Sequence, residues 1–393
     1  MNGKRRLKMK QLTRLFIPIC LETLFYMLSG MVDTLMLSAV GDYAVGAVGT
    51  ANSYIGIFII MFSIISSGMV SVMTQNIGAG RPGVAYQARQ LGLLFNAVAG
   101  VLMAVFLFSG AGAILRMVGI ADALYEPALI YLKIVGGGCI LNAVIPIFSS
   151  YLRAFGYTKQ PLYATIVGNI ANFVMNAVFL FVLHKGVAGV ATATVISKIL
   201  NLCIVLYFSH KLISAKNSTE RIANKTVLGQ IVKVGLPSAC ETALYNVAMM
   251  LVIRFLNQMD AEGLNVTARS YTATISNFSY CVGAALAQAN AIMTGWHIGA
   301  GELEECDRGT KRAAFVGVCV AVCMETAIVL GSGFIMPLFT DNPEMTALVR
   351  KLLAIDIVLE IGRVTNLVFG QALKTSGDAV FPAVIAAVFM FVF

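Results

Sequence analysis

The chain has 393 residues, of which 58% are hydrophobic and only 12% charged, and its formal net charge is +9. A soluble globular domain carries about twice that share of charge, while apolar runs near the roughly 20 residues needed to cross a bilayer recur here from end to end. A soluble fold is therefore excluded, and so is a transmembrane barrel, whose short alternating polar and apolar segments are missing.

Taken in chain order, Lys4, Arg5, Arg6, Lys8 and Lys10 precede the first predicted helix, 15–40. A basic start before an apolar run also fits a secretory signal. This run is long, holds Glu22 and Asp33 and has no clear cleavage site, so it is read as a retained helix. Five more helices are predicted at 45–75, 91–118, 127–152, 161–183 and 187–209. The polar stretch SHKLISAKNSTERIANKTVLGQIVK then reads as a linker, and helices follow at 231–257, 264–296, 312–338 and 346–373, with a partial one from 379. The thirteen residues FPAVIAAVFMFVF at the end rise only about 20 Å as helix, short of the roughly 30 Å core. The eleventh helix is thus expected to be incomplete and a twelfth to be absent from this chain.

The basic residues gather in alternate loops: Arg81/Arg89, Arg153/Lys159, Lys211–Lys233, Arg308/Lys311/Arg312 and Lys374. Intervening loops such as SAVGDYAVG and NQMDAEGLN are acidic or neutral. By the positive-inside rule this predicts a multi-pass protein of the plasma membrane with its amino terminus in the cytoplasm. The lipid bilayer accounts for the charge pattern, and no nucleic-acid partner is expected. The eight cysteines form no close-spaced ligand pair, so neither a disulfide framework nor a metal site is expected, and Cys319/Cys323 read as packing. His184, His210 and His297 lie near helix ends, and Trp296 reads as an interfacial anchor.

The two halves repeat. PICLETLFY (18–26) answers PSACETALY (237–245); IGAG at 77–80 answers IGAG at 298–301; and SYLRAFGYTKQP (150–161) answers QALKTSGDAVFP (371–382). The last two pairs share one offset of 221 residues. An even number of spans per half leaves the copies parallel, related by an axis along the membrane normal. The expected fold is all-α and polytopic, with two six-helix lobes: 1–212, a linker at 213–230, and 231–393. Each IGAG phrase ends the second helix of its lobe, where glycine permits a tight turn. It is not a phosphate loop, because no Gly-Lys-Ser/Thr follows.

Together MVDTLMLS, QNIGAGR, LRAFGYTKQP, GNIANFVMNAVFLF, GVAGVATATVIS, VGLPSA and FTDNPE resemble the multidrug and toxic-compound extrusion (MATE) transporters, over nearly the whole chain. The resemblance implies two lobes around a central cleft and export of organic cations or other amphipathic compounds. It also implies inward Na⁺ or H⁺ as the driving ion, and a coupling role for Asp33 in the Val-Asp-Thr motif.

Ionisable residues inside a membrane are functional candidates by default. Glu22 lies almost three turns before Asp33, sharing its face with Tyr26. Asn169, Asn172 and Asn176 form a stripe at i, i+3 and i+7, suited to an ion or to a network around Asp33; packing between helices is the plainer alternative. Some family members have an aspartate where this chain has Asn176. In the second half, Glu241 and Tyr245 mirror Glu22 and Tyr26. Asp356, Glu360 and Arg363 fall at i, i+4 and i+7; Glu360 is expected to pair with Arg363, leaving Asp356 the freer acid, and Glu325 has no assigned mate. No cofactor is expected beyond the coupling ion, and the protein is taken as a monomer. A lipid-linked sugar flippase would call for more intramembrane arginine. A membrane-embedded enzyme would need a motif such as His-Glu-x-x-His or Gly-x-Ser-x-Gly, which the sequence lacks.

Overall fold

A computed structural model describes residues 2–213, 220–259, 264–338, 340 and 342–392. Among them there is no strand, and the chain is a succession of helices. The first repeat contributes α1 (Asn2–Ser38), α2 (Asp42–Gly78), α3 (Pro82–Val118), α4 (Asp122–Gly137), α5 (Cys139–Ala154), α6 (Lys159–Ala177) and α7 (Gly186–Leu212). The second contributes α8 (Asn224–Met259), α9 (Leu264–Gly299), α10 (Leu303–Ile335), α11 (Pro343–Ser376) and α12 (Val380–Val392). Seven of these are long and apolar enough to span a bilayer, and α4 with α5 makes an eighth as one bent span. The others include α9 and α11, equally long but richer in buried polar residues. Residues 214–219 of the predicted linker and 260–263 of the NQMDAEGLN loop lie outside the described residues.

The predicted helix 127–152 is in fact two helices meeting at a 41° bend. Gly136, Gly137 and Gly138 sit at the joint, where the weak helix propensity of glycine permits a break. A Cβ on Gly136 would lie 3.0 Å from Leu107 on α3, so the small residue also admits a close neighbour. The predicted linker is also shorter than expected, because α8 begins at Asn224. At the start of α11 the Asn342 side chain accepts from the Glu344 and Met345 amides and Pro343 takes the first position, a strong start signal.

Helix α2 of the first repeat crosses α8 and α9 of the second at very close range. A methyl on Gly68 would collide with the Ile231 backbone, and one on Gly235 with the Ile64 backbone. The same holds for Gly78 against Trp296 and for Gly299 against Gln75. Gly78 and Gly299 are the first glycines of the two IGAG phrases. The second glycines, Gly80 and Gly301, take the left-handed conformation (φ 74° and 75°) that ends each helix. So the repeated phrase does two jobs: one glycine admits the opposite repeat and the other turns the chain.

The crossing is clasped by hydrogen bonds that obey the repeat. Gln75 Nε2 donates to the Thr375 carbonyl, and Trp296 Nε1 donates to the Ala154 carbonyl at 2.9 Å. Gln75 and Trp296 are 221 residues apart, as are Ala154 and Thr375. Trp296 is therefore no interfacial anchor but a member of the clasp. Ser71 Oγ adds a bond to the same Thr375 carbonyl at 2.8 Å, and Leu15 and Ile19 of α1 pack with Ile292 and Met293 of α9. These contacts all lie in the half of the bundle that bears the IGAG turns.

Candidate functional site

Two ion pairs border the clasp. In the first repeat Arg153 Nη2 meets Glu22 Oε1 at 2.6 Å, while its Nη1 donates to Gln288 Oε1 of the other repeat at 3.1 Å. In the second, Lys374 Nζ lies 2.9 Å from Glu241 Oε2, close enough to pair but without hydrogen-bond alignment. Arg153 and Lys374 are again 221 residues apart, and the two glutamates sit in the matching ETxxY phrases. Both of these cleft candidates are thus held by a basic partner near the clasp. Their neighbours Tyr26 and Tyr245 are 72% and 50% exposed, and the Tyr26 ring stands free although it lies deep among the helices.

Asp33 lies in the other half, near the end of α1 and away from the clasp. Asn176 Nδ2 on α6 donates to Asp33 Oδ1 at 2.7 Å and to Asn172 Oδ1 at 3.2 Å. Asn169 Nδ2 donates to the Phe25 carbonyl of α1 at 2.8 Å. All three asparagines of the predicted stripe therefore engage α1 or one another. Asn176 is fully buried, and its Oδ1 has no protein partner. Directly after it α6 widens into a π turn, Val178–Val182, a distortion frequent at functional sites.

The pocket contains a cation that sequence reasoning overlooked. Lys198 on α7 donates to Asn142 Oδ1 on α5 at 2.8 Å and lies within electrostatic reach of Asp33. Tyr131 on α4 donates to Asn52 Oδ1 on α2 at 3.3 Å and also faces Asp33. One carboxylate, one ammonium, several amides and a phenol thus gather from six helices of a single repeat. The available signal was Lys198 itself, a charge within an otherwise apolar helix.

The second repeat builds its centre differently. Arg363 binds both Glu360 Oε1 (2.5 Å) and Asp356 Oδ1 (3.3 Å), so Asp356 is not the freer acid expected. Glu325 on α10 has a mate after all: Ser276 Oγ on α9 donates to its Oε1 at 2.9 Å. A carboxylate oxygen from each of Glu325, Asp356 and Glu360 lies within 4.8 Å of the others.

Polar centres buried within two duplicated helical bundles, and a cleft clasped at one end, define a polytopic membrane transporter rather than an enzyme. The chain belongs to the MATE family: the MatE family model matches residues 18–178 and 237–393. YisQ of Bacillus subtilis (strain 168), an uncharacterized transporter, is 32% identical over 379 residues, covering 95% of this chain and 83% of its own. A mutant of the Vibrio cholerae MATE transporter VcmN superposes with a TM-score of 0.88 at 18% identity, covering 100% of this chain and 89% of that one. An outward-facing multidrug resistance MATE transporter gives 0.86 at 19% identity, covering 98% and 86%. A MOP-superfamily transporter of Pyrococcus furiosus Vc1, described as having a binding pocket of reversed polarity, gives 0.83 at 20%, covering 98% and 86%. At these identities the solved structures establish the fold.

Proposed function

We propose that the chain is a cation-coupled exporter of amphipathic organic cations in the plasma membrane, driven by inward Na⁺ or H⁺ through Asp33. The single observation that carries the reading is the carboxyl of Asp33, half-buried in the unclasped half of the bundle and held by Asn176. The IGAG end faces the cytoplasm, because the basic loops collect there; the clasp then closes the inner side and the conformation is open outward. A cation arriving from outside neutralises Asp33 and weakens its attraction for a positively charged substrate, which leaves outward. The lobes 1–212 and 231–393, joined by 213–230, then rock to alternate access.

Lys198 sharpens this reading. With an ammonium close by, Asp33 is partly compensated when ionised, so the pocket's net charge changes sign of effect with the occupancy of one carboxyl. Dye efflux from proteoliposomes, with Na⁺ and pH gradients imposed separately, tests the proposal. Asp33→Asn abolishes ion-driven efflux while the protein still inserts; undiminished efflux by that variant rejects the assignment. Which gradient drives the wild type identifies the ion.

A further inference from the structure

The second repeat contains a buried centre that the coupling scheme at Asp33 does not use. Its three acids come from two helices: Glu325 from α10, and Asp356 and Glu360, one turn apart, from α11. Arg363 is the only cation in hydrogen-bond contact with them among the described residues. With all three acids ionised, one guanidinium leaves two negative charges uncompensated. Glu325 and Glu360 are both 0% exposed, whereas Asp356 retains 8% and so marks the way in.

Each glutamate uses one oxygen and leaves the other idle. Glu325 Oε1 accepts from Ser276, and Glu360 Oε1 accepts from Arg363. Glu325 Oε2 and Glu360 Oε2 are buried with no hydrogen-bond partner. A buried anionic oxygen without a partner is strongly disfavoured, because it has left water for nothing in return. One turn beyond Ser276 on the same face of α9, the buried hydroxyl of Ser279 also lacks a partner. The atoms left over are thus all oxygens, and the deficit is positive charge.

We propose that Glu325, Asp356 and Glu360 form a second cation site, separate from Asp33, that takes a hard, oxygen-seeking ion of the size of Na⁺ or Ca²⁺. Oxygens no more than 4.8 Å apart can all stand about 2.8 Å from one point, and a small contraction reaches the 2.3–2.6 Å typical of Ca²⁺. Mg²⁺ fits poorly, since it demands a tight octahedron and retains its waters. Ser276 orients Glu325 and Arg363 orients Glu360, so both carboxylates are set before the ion arrives. The bound ion ties α10 to α11 and, through Ser276, to α9.

The site is tested by equilibrium binding of radiolabelled Na⁺ and Ca²⁺ to the purified full chain in detergent at mildly alkaline pH. The Asp33→Asn background is used, so that a failure of the coupling scheme does not affect the result. The expected outcome is saturable binding of one of the two ions that survives Asp33→Asn. It is lost on adding Glu325→Gln or Glu360→Gln, and weakened roughly 10- to 100-fold by Ser276→Ala, which removes only an orienting contact. The same ion raises the thermal midpoint of the Asp33→Asn protein but not that of its Glu325→Gln derivative. Should a glutamine variant fail to fold, Ser276→Ala still decides the matter. Absence of binding by either ion, which would mean that protons alone neutralise the cluster, overturns the proposal. So does loss of all binding with Asp33→Asn alone, or binding indifferent to Glu325→Gln, Glu360→Gln and Ser276→Ala.

Discussion

The first repeat sets Asp33 among amides and one ammonium, whereas the second crowds three carboxyls around one guanidinium. Near the clasp the same repeats still correspond residue for residue: Glu22–Arg153 with Glu241–Lys374, and Gln75 with Trp296. Duplication has therefore kept the parts that hold the repeats together and let the buried polar chemistry diverge. The scaffold is constrained by backbone contact across α2, α8 and α9, where no side chain fits. The polar centres touch only helices of their own repeat and are free to change.

The largest expected effect comes from breaking the tighter of the two ion pairs. Glu22→Ala leaves Arg153 buried and half-satisfied and lowers stability in detergent by about 3–5 kcal/mol, read as a fall in thermal midpoint. Glu241→Ala costs less, about 2 kcal/mol, because the poorly aligned Lys374 can extend its ammonium towards water. Equal losses would contradict the asymmetry drawn here. Next is Gly78→Ala, whose methyl meets the Trp296 backbone; overpacking of this kind costs about 1–3 kcal/mol. Engineered cysteines across α2 and α9 should then cross-link more slowly than in the wild type. Smaller still is Trp296→Phe, which deletes the bond to Ala154 and costs about 1 kcal/mol. Gln75→Ala, at the matching position, is the mildest. Ser71 still serves the Thr375 carbonyl, and unfolding curves should shift by no more than about half as much.

Much of this architecture is legible in the sequence, since a fixed offset between similar phrases survives any ignorance of packing. That offset also pairs Trp296 with Gln75, a clue outweighed by the usual preference of tryptophan for membrane interfaces. The bend at Gly138 was signalled only by a run of three glycines, which a strongly apolar surround masks. The asparagine stripe could be read because helical spacing alone places it on one face. The partners of Glu325 could not, because Ser276, Asp356 and Glu360 come from other helices and nothing local encodes the crossing. Lys198 escaped for a different reason: one charge hardly alters the apolar average of its helix, yet burial makes it a neighbour of Asp33.

Trp296 is the sole tryptophan of the chain, and its indole is hydrogen-bonded within the seam between the repeats. The protein therefore carries one intrinsic fluorophore at the point where the seam must part. Without any label, its emission wavelength reports how tightly the inner door is shut, and stopped-flow records of that colour would time each opening.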